Sequence, residues 1–347
     1  MSKKLKTICK KILSDVSPSF RKMLAIQKKL EGVERQLIAI EQTINNYQLR
    51  NQAMLWLAIP QKVTSLNTVQ RNFWINYPKS EGDLRILQKG NMYILKELKE
   101  ICDQNGIQFW LHGGTLIGGI RHGGCIPWDD DVDIAMLRSD VENLYNLLKD
   151  DDQFQLNIYY HDDEKFSRAY QFKLRNQEIP CFVDIFIFDF CRCDLPKGEL
   201  SFKQHYHKIR NKMISEFCSI EPRLIVEDIG CWHFGPFKEE DKKLADNIIN
   251  NALKEMGDYN QGNAVYYSIE NYPFPYPVIP IDSIFPTNKC SFEGIEVNIP
   301  KDVDLYLKGY GDYWQIPADI EKAPHFYYFK DHIEAIDDFL KKKAFDV

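Results

Sequence analysis

Between Trp110 and Met136 the chain reads WLHGGTLIGGIRHGGCIPWDDDVDIAM, and two features of that stretch can do chemistry. The first is the acid run Asp129, Asp130, Asp131 and Asp133. If a strand starts at Asp131, period-two geometry sets Asp131 and Asp133 side by side on one face, with Val132 and Ile134 pointing into the core. Two carboxylates on one face repel unless a cation lies between them, and hard Mg2+ or Mn2+ suits their oxygens. A bare acid run is ordinarily a solvated loop. Here Trp128 flanks it and an apolar strand follows, which favours a site. The second feature is the turn His112-Gly113-Gly114-Thr115 opening a short helix. Gly113 and Gly114 let the backbone approach a phosphate, the helix start offers free N–H groups, and Thr115 adds a hydroxyl.

A third carboxylate lies in CFVDIFIFDF, residues 181–190. Asp184 is embedded in an otherwise apolar run, and an unpaired buried aspartate is costly enough to require a partner such as a metal. By parity it shares a face with Phe182 and Phe186, whereas Asp189 faces the other way and reads as structural. Transfer of a phosphate also needs positive charge. Arg121 and His122 follow the glycine turn, and Lys173 and Arg175 alternate on one strand face, so both pairs are candidate phosphate clamps.

These residues must be held by a scaffold, and the local patterns supply one. Asp83–Asn105 reads as a helix ended by Gly106, and Ile107–Leu111 as a short strand. Val132–Leu137, Gln155–Tyr160, Tyr170–Leu174 and Cys181–Phe190 read as further strands, with a helix capped by Ser139 running to Leu148. Lys197–Glu221 and Glu239–Met256 read as helices, and a Pro- and aromatic-rich stretch spans Tyr272–Pro286. The pattern is α/β with a mixed sheet flanked by helices.

Two devices precede that domain. Residues 1–22 hold most of a segment with nine Lys or Arg between Lys3 and Lys29 against the single acid Asp15, and Leu5, Ile8, Cys9, Ile12 and Leu13 line one helix face. Such a basic amphipathic helix either lies on an anionic membrane or packs on the enzyme itself. Residues 23–60 carry a seam running from Met23 through Leu30, Leu37 and Ile44 to Asn51 and Met54, in alternating steps of three and four. A seam of about four heptads favours a self-associating coiled coil, and hence a homo-oligomer, over a helix folded back on the main domain of residues 61–347.

The net charge of −6 gives no general pull toward nucleic acid. No secretory pattern or membrane-spanning run is apparent, and the nine cysteines are scattered. A cytoplasmic protein with reduced thiols, peripheral at the inner membrane face at most, is the expectation. Spacings among Cys191, Cys193, Cys218, Cys231 and the nearby histidines form no clear zinc knuckles.

The order HGGTLIGGIRHGGCIPWDDDVDIAM, QFKLRN, FVDIFIFD and FPTNKCSFEGIEVNIPKDVDLYLKGYGDYWQIP resembles the LicD family. These are relatives of the fukutin proteins in the nucleotidyltransferase superfamily that includes DNA polymerase β. The resemblance runs from about Arg85 to Pro317, with an unmatched middle near Cys191–Gln261. It implies a nucleotidyltransferase-like fold in which Gly113, Gly114 and Thr115 match the glycine turn. Asp131, Asp133 and Asp184 match the metal ligands, and Asp129 falls in the acidic motif. It further implies transfer of phosphocholine or a similar phospho-alcohol from a CDP-linked donor to a hydroxyl of a glycan or lipid-linked saccharide, releasing CMP. Asp184 or Asp129 would take the hydroxyl proton, and Tyr310, Asp312, Tyr313 and Trp314 would wall the acceptor groove. Two other readings stay open. One is nucleotidyl transfer from a nucleoside triphosphate; the other is a non-catalytic glycan-assembly scaffold, against which the three intact carboxylates weigh.

Overall fold

The computed structural model describes residues 66–161, 166–219, 239–272, 274, 276–315 and 326–345. The basic segment 1–22, the seam 23–60, Cys231 and the end of the Lys197–Glu221 helix lie outside the described residues.

Helix α1 spans Leu66–Ile75 and α2 spans Gly82–Asn105. The stop of α2 follows from its sequence: Gly106 takes φ 66, and its N–H closes on the Cys102 carbonyl. Then come β1 (Trp110–Leu111), α3 (Gly113–Arg121), β2 (Asp133–Leu137), α4 (Arg138–Leu148), β3 (Phe154–His161), β4 (Ser167–Leu174) and β5 (Phe182–Cys191). Helices α5 (Glu199–Ser219) and α6 (Glu239–Met256) precede β6 (Ala264–Tyr267), β7 (Ile279–Pro280), the hairpin β8 (Asn288–Phe292) and β9 (Ile295–Ile299), α7 (Val303–Tyr306) and α8 (Ile333–Lys342).

The sheet runs β1-β2-β5-β4-β3, with β6 and β7 continuing from β5. Among the described residues only β2 and β5 pair in parallel; the other ladders of this sheet are antiparallel. This is the expected α/β class with a mixed sheet. Strand β5 is central, and its apolar run covers both faces because helices and loops cover both. Trp110, Phe172 and Phe188 are wholly buried, each contributing about 1.5–3 kcal/mol through the area taken from water.

Several boundaries differ from the sequence reading. Sheet pairing starts only at Trp110, because Ile107–Phe109 lie before the ladder with β2. Strand β2 begins at Asp133, so Asp131 and Val132 sit in the loop before it. Leu137, not Ser139, is the N-cap of α4, with no side-chain capping bond; an aliphatic cap serves because tertiary packing holds the helix.

A buried ion network gathers around Asp189 and Glu270. Arg138 Nε lies 2.6 Å from Asp189, and Arg138 Nη2 lies 2.5 Å from Glu270. Arg168 lies 2.5 Å from Glu270 and 2.8 Å from Asp246. Asp189 thus has the structural role that parity assigns it. Burial pushes the Glu270 carboxyl up, but Arg138 and Arg168 together pull it down to about 2.

Candidate active site

Strand register does the main work of assembly. Asp133 on β2 and Asp184 on β5 are direct partners in the parallel ladder, so parity puts both carboxylates on one face. The Asp184 N–H donates to the Val132 carbonyl at 2.9 Å, tying Asp184 to the loop that carries Asp131. Ligand atoms of Asp131, Asp133 and Asp184 all lie within 4.8 Å of one another. Asp131 also groups with Asp129 and Asp130. Asp130, however, is fully buried and turned to other work, its Oδ2 accepting the Phe326 N–H at 2.6 Å.

Helix α2 holds this loop from behind. Gln88 Nε2 donates to the carbonyls of Ile126 and Asp129, and Asn91 Nδ2 donates to the Asp130 carbonyl. Asn91 Oδ1 also accepts the Phe182 N–H. Two buried amides in an otherwise apolar helix face therefore lock the acid loop and β5 together.

The glycine turn makes room for the acids. A Cβ on Gly113 would lie 3.0 Å from Asp133 Oδ2 and 3.2 Å from the Tyr310 hydroxyl, and Gly113 has φ 51. A Cβ on Gly114 would lie 3.0 Å from Asp129 Oδ2. Thr115 is buried, and its Oγ1 accepts the Asp133 N–H at 2.8 Å. Its hydroxyl thus fixes the backbone of a carboxylate, a role that spacing alone did not show.

Electrostatics fit a cation. Burial, then the charges of Asp131 and Asp184, holds the Asp133 carboxyl well above the usual range. Burial, then Asp131 and Asp130, does the same to Asp129. Crowded carboxylates of this kind, with Asp184 buried and Asp131 and Asp133 half-buried, are relieved by a hard divalent ion, and their all-oxygen donor set suits Mg2+ or Mn2+.

The acids open onto a cavity of about 490 Å3 lined by Asp131, Asp133, Asp184 and a wall of aromatic rings, among them Phe186, Tyr267, Tyr276 and Tyr310. That size falls within the range of about 300–1,000 Å3 typical of small-molecule sites.

Residues 106–222 match the family model described as LicD/FKTN/FKRP, nucleotidyltransferase domain. Over that stretch the chain matches the LicD family. It is 26% identical over 267 residues to the lipopolysaccharide cholinephosphotransferase LicD of Haemophilus influenzae, covering 70% of this chain and 95% of that protein. It is 41% identical over 64 residues to the human ribitol 5-phosphate transferase FKRP, a stretch of 18% of this chain and 12% of FKRP.

The expected basic clamps are placed unevenly. Lys173 follows Gln171, the register partner of Asp184, on the same face of β4. Burial lowers the Lys173 ammonium pKa, with Cys181 and Asp184 opposing. Arg175 is not brought to the acids: it donates to the carbonyls of Asp151 and Leu148 at the end of α4. Arg121 donates to the Tyr313 carbonyl at 2.7 Å and lies 4.2 Å over the Trp74 ring. Burial pulls its guanidinium down to about 10. His122 packs among Trp74, Tyr77 and Trp128, where burial and Arg121 push it down to about 3. Neither Arg121 nor His122 lines the cavity.

Of the expected acceptor-groove residues, Tyr310 lines the cavity. Asp312 instead accepts the Trp314 N–H, Trp314 O accepts from Trp74 Nε1, and the Tyr313 hydroxyl donates to Asp304. The segment Tyr310–Trp314 therefore braces α1 and α3 as well as reaching the site. Burial and Glu293 push the Cys125 thiol up, which disfavours the nucleophilic thiolate. Cys191 and Cys193 join no metal-ligating cluster among the described residues.

His112 is the residue that spacing missed. It lines the cavity and is 2% exposed. In the sequence it reads only as the entry to a glycine turn. Its one signal is the pairing of Trp110 and His112 with the distal Tyr306, which needs the fold to be seen.

Proposed function

We propose that this protein transfers a phospho-alcohol group, phosphocholine or a similar one, from a CDP-linked donor to a hydroxyl of a cell-surface glycan or its lipid-linked precursor, releasing CMP. The carrying observation is the cavity itself: three clustered carboxylates at one side and aromatic rings around the rest. Aromatic faces beside negative charge suit a quaternary ammonium such as choline. The relative matched over nearly its whole length is a cholinephosphotransferase by name, and FKRP is by name a ribitol 5-phosphate transferase. Transfer of a phospho-alcohol is common to both.

Asp131, Asp133 and Asp184 would hold Mg2+ or Mn2+. Such an ion, when bound, neutralises charge on the donor diphosphate. The acceptor oxygen forms a bond to the distal phosphorus as the bond from that phosphorus to the CMP oxygen breaks. The acceptor proton passes to a carboxylate. Asp184 lines the cavity whereas Asp129 does not, so Asp184 is the favoured base. Its Oδ1 lies 3.4 Å from the Tyr159 hydroxyl, which orients it. Lys173, on the same sheet face but outside the cavity lining, would add positive charge near the phosphates. No described helix is long and apolar enough to cross a membrane; the basic helix would supply membrane contact and the N-terminal seam self-association.

The test is a donor screen with purified protein, Mg2+ or Mn2+ and candidate acceptor glycans. CMP release is followed from CDP-choline, CDP-ethanolamine, CDP-glycerol and CDP-ribitol. Metal-dependent release with CDP-choline supports the reading. Pyrophosphate release from a nucleoside triphosphate, with no CDP donor consumed, would replace it with nucleotidyl transfer.

A further inference from the structure

Trp110, His112 and Tyr306 form a buried relay that ends at the cavity. The Trp110 indole Nε1–H donates to the Tyr306 hydroxyl oxygen at 2.9 Å. His112 Nδ1 lies 2.6 Å from that same oxygen. Trp110 and Tyr306 are fully buried and His112 nearly so. An indole nitrogen only donates, so it cannot receive the Tyr306 proton. The acceptor left for that proton is His112 Nδ1, and a buried hydroxyl proton without an acceptor is costly. Nδ1 therefore accepts, and the ring proton sits on Nε2.

Nε2 has no hydrogen-bond partner among the described residues, while the ring as a whole lines the cavity. Phe186 and Tyr276 pack the ring at centroid distances of 4.9 and 4.8 Å, which leaves it little freedom to turn. The His112 backbone N–H donates to the Asp133 carbonyl at 3.1 Å, so the ring is anchored to the strand that carries a candidate metal ligand. Charge explains what such a donor is for. Among the described residues Arg168 is the one Lys or Arg in the cavity lining, and it is committed to Glu270 and Asp246. A cationic side chain beside Asp131, Asp133 and Asp184 would be drawn into an ion pair with them. A neutral N–H stays available for an incoming phosphate.

We infer that His112 Nε2–H donates a hydrogen bond to a phosphate oxygen of the donor, and that Tyr306 fixes the tautomer that makes this donation available. His112 is then a catalytic residue and Tyr306 a positioning residue. The inference rests on the proposed phospho-alcohol transfer, which supplies the phosphate.

Two measurements on the full chain test it. Long-range nitrogen–proton NMR of 15N-histidine-labelled protein, with the His112 signals assigned by their loss in His112→Gln, reads the tautomer directly. The Nε2–H form is expected in the wild type, and Tyr306→Phe should lose that preference. Steady-state CMP release from CDP-choline then compares variants. His112→Leu should lose roughly 10²–10³ in kcat/KM, the scale of removing one transition-state donor. His112→Gln, which keeps an N–H donor, should recover part of that loss, and Tyr306→Phe should lower kcat more than it raises KM. An Nδ1–H tautomer in the wild type overturns the inference without reference to substrate, whether or not any variant folds. A turning-over wild type beside an equally active His112→Leu overturns it while leaving the proposed function standing. A wild type inert toward every CDP donor overturns that function and the phosphate contact together.

Discussion

Asp133 and Asp184 face each other across the parallel β2–β5 pairing, so two carboxylates occupy neighbouring positions on one sheet face. With Asp131 close by, the site concentrates like charge where burial already disfavours it. Function here is held at a cost to stability. Asp133→Asn is therefore expected to raise the melting temperature of the metal-free protein at neutral pH. Each kcal/mol relieved corresponds to about 2 °C in a domain of this size. Thermal denaturation in EDTA checks the direction, and a lower melting temperature would contradict the like-charge account.

The same crowding sets a pH dependence. The folded-state pKa values of Asp129 and Asp133 lie above those of the unfolded chain. Their contribution is fully present below the ordinary carboxylate pKa and is lost as pH rises through the raised folded values. A bound divalent ion offsets that loss. Mn2+ should thus raise the melting temperature more at pH 7.5 than at pH 5, as read by scanning fluorimetry against an EDTA control. Equal gains at both pH values would count against metal binding by these carboxylates.

Gly113 is left-handed and its missing Cβ is the space next to Asp133 Oδ2 and the Tyr310 hydroxyl. Gly113→Ala should destabilise the turn by about 1 kcal/mol and displace the carboxylate. A misplacement of about 1 Å can cost on the order of 10²-fold in rate. Turnover measured beside circular dichroism separates the two effects; wild-type turnover would show that the close approach is not needed.

Glu270 lies outside the acid cluster and bridges two buried arginines. Glu270→Ala should cost about 3–5 kcal/mol in a denaturant titration, because Arg138 and Arg168 lose a shared buried partner. Its depressed pKa adds a sign: the stability it supplies is present above the ordinary glutamate pKa and is lost as pH falls toward about 2. A loss below about 1 kcal/mol would mean that Asp189 and Asp246 carry the network without it.

Much of the site's framework was legible in the residues themselves. The period-two pattern around Val132 and Ile134, and an aspartate inside an apolar run at Asp184, identify the strands that meet in β2 and β5. Parity also separated Asp184 from Asp189, and the structure gives Asp189 to Arg138. What was not legible depends on partners distant in the chain. Arg175 looked available because alternation cannot reveal the carbonyls of Leu148 and Asp151 that engage it. Thr115 looked like a phosphate ligand until strand β2 brought the Asp133 N–H to its hydroxyl. His112 gains its orientation from Tyr306, a separation of 194 residues that no local pattern encodes.

The most direct test of the central claim is CMP release from CDP-choline in the presence of Mn2+ and acceptor, comparing wild type with folded Asp133→Asn and Asp184→Asn. Metal-dependent CMP release by the wild type, lowered at least about 10²-fold in both variants, is the predicted result. Wild-type rates in either folded variant would contradict the assignment of the chemistry to this carboxylate cluster.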